Sequence, residues 1–167
     1  MTQYEFNGSQ NFDVFAVGNA DAIRNLLVEK ISEQYSNNSD VMFRARATAL
    51  IGIVLPVLTW MRDNYGVPIS LEAIRLGMEL RSISTMTRHR IFRARNIVGG
   101  NPIEYKVPEM PEDLVYPLQA YLGELPGYDP SIEWNQQRTN MPAEQHVYAL
   151  TYFIGTFTQP AVLRAAG

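Results

Sequence analysis

A long apolar segment, residues 41–66, constrains the fold of this chain more than any other feature. Within it, the fifteen residues 47–61 carry no charge, and Arg46 and Arg62 flank them. A helix that spans a bilayer needs about 20 predominantly apolar residues, so this run is too short for that role and predicts the central core helix of a soluble helical domain. Pro56 removes one backbone hydrogen bond from the helix, which predicts a kink in the stretch 52–56.

The length predicts one domain over residues 1–167, and helix caps and apolar spacing along the chain predict that it is all-α. A chain of 167 residues is long enough to bury its own core, and it has no cysteine, which excludes thiol catalysis and thiolate metal sites. We expect a single-domain helical bundle of five to six helices with the long kinked helix at its centre. In this prediction residues 19–157 form the helical core, with an N-terminal extension at 1–18 and a C-terminal tail at 158–167.

Capping residues place the starts of the other helices. Asn19 and Ser70 are favourable N-caps, and each is followed two positions later by an acidic residue that suits a first helical turn. Pro111 has the chemistry of another helix start. The helix from Ser70 is predicted to end near Leu80. Residues 103–110 are predicted to be irregular, and no strand pair is expected.

The charge is unevenly distributed along the chain. The net charge is −3, yet residues 81–95, the arginine segment, hold five arginines and a histidine without any acidic residue. One guanidinium group can donate two hydrogen bonds to two oxygens of a phosphate, so this segment predicts contact with nucleic acid. The alternatives are an acidic protein partner, a solvated surface turn, and intramolecular partners in the acidic remainder of the chain. The candidate nucleic-acid-binding residues are Arg81, Arg88, His89, Arg90, Arg93 and Arg95.

No sequence pattern predicts catalysis or a metal site. Glu144 and His146 lie two positions apart in the last predicted helix, which starts near Pro142. Their side chains therefore point to different faces, and we interpret them as structural or surface residues. The glycine pair at 99–100 lacks the lysine and the serine or threonine of a phosphate-binding loop. Walker motifs are thus absent from the chain, and we expect neither ATP hydrolysis by this chain nor a cofactor.

The last predicted helix also carries an aromatic stripe. At helical spacing such stripes are more often core than partner-binding surface. We interpret Phe153 and Phe157 as core residues, and Tyr148 and Tyr152 are compatible with either the core or a partner-binding face.

Four segments carry a family resemblance through their order along the chain. They are FRARATALIGIVLPVLTWMRDNYG, ISLEAIRLGMEL, YLGELPGY and EQHVYALTYF. In this order they resemble the insertion between the two nucleotide-binding motifs of DotL-like type IV secretion coupling ATPases, a group that includes plasmid conjugation coupling proteins. The resemblance covers residues 19–157 and implies the all-alpha domain of that family.

For function, the resemblance implies a non-enzymatic substrate-recognition domain used in conjugative DNA transfer, on the cytoplasmic side of a hexameric ATPase. The implied partners are a relaxase or accessory relaxosome protein, single- or double-stranded DNA, and the remainder of the coupling ATPase. The parent protein is expected to be anchored at the inner membrane, with no membrane contact by this segment. The alternative is a stand-alone adapter that docks a secretion or regulatory protein. An inserted domain should have its two chain ends close together, whereas an adapter need not.

Overall fold

The computed structural model describes residues 14–34, 41–95 and 100–137, together with His146, Leu150 and Phe157. This part of the chain is mostly helical with one small antiparallel sheet, so the predicted all-α class is confirmed. The predicted extension and tail stay predictions. In chain order the elements are α1 (Ala20–Gln34), α2 (Val41–Tyr65), α3 (Leu71–Gly77), α4 (Leu80–His89), β1 (Ile91–Ala94), β2 (Ile103–Lys106), α5 (Glu112–Gly123) and a 3₁₀ turn (Trp134–Gln136).

The first helix, α1, begins where the sequence predicts. The Oδ1 atom of Asn19 accepts a hydrogen bond from the backbone N–H of Ala22 at 2.8 Å, which is the arrangement of an N-cap. Ile23, Leu27 and Ile31 recur every four residues, are buried, and belong to the core where α1 packs on α2. One cap and one apolar stripe therefore define this helix.

The long helix α2 lies at the centre of the bundle and contacts α1, α3 and α5. Its core face includes Leu50, Leu55, Leu58 and Met61, which are almost completely buried. The helix continues through Pro56, so the missing hydrogen bond there does not end it. The predicted central core helix is confirmed, and the kink stays a prediction.

By length and composition alone, α2 contains a segment that could cross a membrane. The window Ala45–Tyr65 has a mean hydropathy of 1.3, and 44% of it is buried inside the protein. The sequence argument that the run is too short was therefore wrong as a length criterion, because the helix extends beyond the fifteen uncharged residues to Tyr65. A core helix passes the same test, and the burial of the apolar face of α2 against its neighbours agrees with that role.

Two helices, α3 and α4, follow Ser70. The Ser70 Oγ atom accepts a hydrogen bond from the backbone N–H of Ala73 at 3.0 Å, which confirms the predicted N-cap. The predicted end near residue 80 was wrong, because α3 ends at Gly77. A Cβ atom added there would lie 3.1 Å from Cγ1 of Val54 on α2, so a glycine permits this close approach. Glu79 is extended, with φ −69° and ψ 141°, and the chain changes direction before α4.

Removal of the Ser70 cap is expected to destabilise the protein modestly. Ser70→Ala deletes the acceptor for the Ala73 N–H and should lower the free energy of unfolding, measured by urea denaturation, by about 1 kcal/mol. Ser32→Ala, at an exposed position of α1, is the matched control and should change it by less than about 0.5 kcal/mol. Equal effects of the two substitutions would show that the cap does not contribute.

The strands β1 and β2 form an antiparallel hairpin, whose register pairs Ile91 with Lys106 and Ala94 with Ile103. The expectation of no strand pair was therefore wrong, as was the irregular assignment of residues 103–106. Each strand has only four residues, and charged side chains interrupt their apolar pattern, so no long alternation marks them. The strands are stabilised by tertiary packing rather than by their local sequence pattern, because β1 contacts both α3 and α4.

The helix α5 packs on α2 and α4 through the buried residues Val115, Leu118 and Leu122. Its start after Pro111 and its end at Gly123 match the sequence prediction. Acidic residues in its first turn interact favourably with the positive end of the helix dipole. This helix therefore closes the bundle on the side of α4.

Beyond residue 137, three single positions are described, and all three are helical. Phe157 is 1% exposed, which confirms its predicted place in the core, and Leu150 packs partly buried against the same core. The other predictions for this stretch lie outside the described residues. They concern Pro142, Glu144, Tyr148, Tyr152 and Phe153.

Candidate functional site in the arginine segment

The arginine segment runs from α4 through β1. Arg81 lies in the first turn of α4, and Arg88 and His89 lie in its last turn, where cations interact favourably with the helix dipole. Arg93 is on β1, and Arg95 follows that strand directly. The fold therefore distributes these side chains over a helix end, a turn and a strand.

Arg88 and His89 share one carboxylate, that of Glu133 beside the 3₁₀ turn. The Arg88 Nη2 atom lies 3.0 Å from Glu133 Oε1, and the His89 Nε2 atom lies 2.7 Å from Glu133 Oε2. Arg88 also donates to the backbone carbonyl of Pro130. The hydrogen bonds from His89 and then Arg88 hold the pKa of Glu133 below its usual value. These contacts tie the end of α4 to the segment 130–137.

Arg90 caps α4 and turns the chain into β1. Its φ of 52° places it in the left-handed region, which non-glycine residues adopt at a cost of about 1 kcal/mol. The guanidinium donates to Glu112 in the first turn of α5, and its Nη1 atom donates to the carbonyl of Thr87 at 3.3 Å. These two contacts hold the turn against α5.

Arg93 is a buried cation, with 9% of its side chain exposed. Its Nη1 atom donates to Ser82 Oγ at 3.2 Å, and its Nε atom lies 3.8 Å from Glu104 Oε2 on β2. Burial lowers the pKa of Arg93, and the nearby charge of Arg81 acts in the same direction. A phosphate in solution has little access to this guanidinium.

Arg95 joins the end of β1 to α3. Its Nη2 atom lies 2.8 Å from Glu72 Oε1, and its Nη1 atom donates to the carbonyl of Gly100 at 3.2 Å. The same Glu72 oxygen accepts from Arg75 Nη2 at 2.5 Å, although only 10% of the Glu72 side chain is exposed. One carboxylate therefore serves two arginines in a partly buried position.

Arg81 is the exposed arginine of the arginine segment, and within the described ranges it has no ion-pair partner. The other five candidates pair with carboxylates of Glu72, Glu104, Glu112 and Glu133. These four glutamates belong to four separate stretches of the chain. For the five paired residues, the arrangement matches the intramolecular alternative stated above. Phosphate contact stays a prediction, and Arg81 is the exposed arginine that is available for it.

A second cluster is formed by Tyr121 of α5 and His146. His146 is 3% exposed, and its Nδ1 atom is 2.7 Å from the Tyr121 hydroxyl oxygen. The two rings are 5.7 Å apart and inclined at 63°. Burial lowers the pKa of His146 to about 4, against a smaller opposing effect of the Met78 backbone. Burial likewise raises the pKa of Tyr121 to about 12.

The burial of His146 accords with a structural role. Its Nε2 atom is buried without a hydrogen-bond partner in the described part of the chain. Within the same residues, no group of three histidine or acidic side chains could hold a metal ion. Sequence reasoning missed Tyr121 as its partner, because 25 positions separate the two residues and no spacing rule relates them.

Comparison with known proteins gives a distant relative. No family model matches the chain. It is 22% identical over 153 residues to the type 4 coupling protein DotL of Legionella pneumophila subsp. pneumophila, and the match covers 92% of this chain. The chain spans 19% of the length of DotL. The DotL-like relation that the order of the four segments predicts is thereby confirmed at the level of distant similarity, and the assignment to one particular domain stays a prediction.

Proposed function

We propose that this chain is a substrate-recognition domain of a type 4 coupling protein that serves type IV secretion and conjugative DNA transfer. The observation that carries the proposal is the similarity to DotL over 92% of the chain. The helical architecture supports it, because the first resembling segment lies on α2, the second spans α3, and the third begins in the last turn of α5. In this proposal the chain binds cargo and does no catalysis of its own.

The proposal places the ATP chemistry elsewhere in the parent protein. The sequence contains no Walker motif, so nucleotide binding would need residues that this chain does not supply. Since the chain corresponds in length to 19% of DotL, the remainder of a coupling ATPase is its first proposed partner. We place this domain in the cytoplasm, without membrane contact of its own, and the parent protein at the inner membrane.

Among the proposed cargoes, we favour a relaxase or accessory relaxosome protein over DNA. Arg88, Arg90 and Arg95 already bind carboxylates, so a phosphate would have to displace Glu133, Glu112 or Glu72 from them. Each displacement exchanges one ionic hydrogen bond for another and gains little free energy. DNA contact through the arginine segment is therefore the second component of the proposal, and Arg81 is its first candidate.

Protein recognition is tested directly by binding. The purified chain, immobilised for biolayer interferometry, is expected to bind the relaxase or an accessory relaxosome protein encoded with it. Unrelated cytoplasmic proteins of similar charge are the control and should not bind. Failure to bind the relaxase, the accessory proteins and DNA would reject the proposed recognition function. The distance between the chain ends, which distinguishes an inserted domain from an adapter, concerns residues outside the described ranges.

DNA contact is tested by fluorescence anisotropy of labelled single- and double-stranded DNA over a salt series. Arg81→Ala is expected to weaken binding. It should also reduce the slope of log K against log salt concentration by about the amount that one phosphate contact contributes. Glu133→Gln is expected to strengthen binding, because it removes the charge that neutralises Arg88 and His89. The control is Lys106→Gln, which removes an exposed cation outside the arginine segment and should change neither the affinity nor the slope. Equal salt slopes in all variants would exclude the arginine segment as the DNA surface.

A further inference from the structure

The outer edge of β2 pairs with no further strand in the part of the chain that the structure describes. The Val107 N–H donates to the Arg90 carbonyl at 2.8 Å, and antiparallel ladders alternate between hydrogen-bonded and non-hydrogen-bonded pairs. With Ile91 opposite Lys106, this alternation turns the backbone groups of Glu104 and Lys106 away from β1. They therefore form the edge at which another strand could pair.

Little in the described residues covers this edge. The N–H and carbonyl groups of Glu104 and the N–H of Lys106 have no backbone partner there, and the Tyr65 hydroxyl lies 3.5 Å from the Lys106 carbonyl. The side chains along the strand are also open, with Glu104 55% and Ile103 57% exposed. A strand edge of this kind is a template for an added strand.

One face of β2 offers an apolar contact. Ile103 and Tyr105 lie on the same face, since side chains two positions apart on a strand share a face. Both line a crevice whose other walls are Val67, Pro68, Ala94 and Arg95. The Tyr105 ring also lies 6.2 Å from that of Tyr65, which is 37% exposed. An apolar side chain of an added strand would contact Ile103 and enter this crevice.

The other face of β2 carries opposite charges. Glu104 and Lys106 lie two positions apart, and Lys106 is exposed without an ion-pair partner in the described ranges. A strand added at this edge would gain from a basic residue opposite Glu104 and an acidic residue opposite Lys106. The same charge pattern opposes parallel, in-register pairing with a second copy of the chain, because that would place like charges together. Antiparallel pairing of two copies about Tyr105 would place Glu104 opposite Lys106, so the test must distinguish a second copy from a partner.

We propose that an extended segment of a partner protein adds to β2 as a third strand, with apolar side chains on the crevice face and alternating basic and acidic side chains on the other face. Backbone hydrogen bonds from Glu104 and Lys106 supply the affinity, and the crevice and the charge pair supply the selection. This inference rests on the recognition function proposed above, for which it names the binding mode. If strand addition failed but the chain still bound DNA or the relaxase elsewhere on its surface, the recognition function would be retained and only this binding mode would be rejected.

The test uses two synthetic peptides with blocked ends, Thr-Val-Lys-Val-Glu-Val-Thr and Thr-Val-Glu-Val-Lys-Val-Thr, which present the charge pair in both chain directions. Backbone amide NMR spectra of the full chain are recorded during titration. At least one peptide is expected to bind, with the largest shifts at Glu104 and Lys106 and slower hydrogen exchange of their amides. Lys106→Pro removes an outward N–H, which an edge strand tolerates, and should weaken binding about tenfold.

Two controls separate strand addition from other contacts. Lys106→Gln keeps the backbone N–H and should bind more tightly than Lys106→Pro. Peptides N-methylated at the amides that would face β2 cannot form the ladder and should not bind the unaltered chain. The proposal would be overturned if neither peptide bound, or if the N-methylated peptides bound with equal affinity. It would also be overturned if the signals of Glu104 and Lys106 shifted with protein concentration in the absence of peptide, because the edge would then pair with a second copy of the chain.

Discussion

Glu72→Gln is expected to lower the free energy of unfolding by about 2 to 3 kcal/mol, because it removes a partly buried carboxylate that serves two cations. Glu72 Oε1 lies 2.5 Å from Arg75 Nη2 and 2.8 Å from Arg95 Nη2. Glutamine keeps one oxygen acceptor but carries no negative charge, so the Arg95 guanidinium, whose side chain is 16% exposed, loses its ion-pair partner. Urea denaturation at neutral pH measures the change.

The matched control for this substitution is Glu79→Gln. Glu79 also pairs with Arg75, but at 3.4 Å, and 35% of its side chain is exposed, so its removal should cost less than about 1 kcal/mol. A double-mutant cycle with Arg95→Met isolates the contact between α3 and the end of β1. A coupling energy near zero, or equal losses for Glu72→Gln and Glu79→Gln, would contradict the role given to Glu72.

Local rules predicted the helix starts well. Asn19 and Ser70 accept the hydrogen bonds of N-caps at the positions that their sequence context indicates. The central helix was also predictable, because its long apolar run needs burial on several sides. Such features depend on neighbours within a few residues, which a sequence displays directly.

The arginine segment shows where such rules stop. A cluster of arginines predicts an exposed basic surface, yet Arg93 is buried and Arg88 binds a glutamate 45 positions away. Which acid meets which base is decided by how α3, α5 and the 3₁₀ turn pack around α4 and β1. The hairpin was missed for the same reason, since β1 is stabilised by contacts with α3 and α4 rather than by its own pattern.

Acidification is expected to destabilise the protein through His146. Burial lowers its pKa from an ordinary 6.5 to about 4 in the folded state. Between these values the unfolded chain binds a proton that the folded chain does not, so the stabilisation is complete above pH 6.5 and is lost as the pH falls towards 4. The difference corresponds to a loss of at most about 3 kcal/mol, measured by urea denaturation at several pH values.

The contribution of His146 is separated from that of the carboxylates by His146→Gln, which cannot titrate. This variant should be less stable at neutral pH, yet its stability should fall less steeply than that of the unaltered protein between pH 6.5 and 4. Tyr121→Phe removes the hydroxyl that lies 2.7 Å from Nδ1 but leaves the ring buried, so the steep acid dependence should persist. Because burial is the main cause of the low pKa, an NMR titration of the His146 ring should have its midpoint near 4. A midpoint near 6.5 would mean that the ring is hydrated and that the contact with Tyr121 does not exclude water.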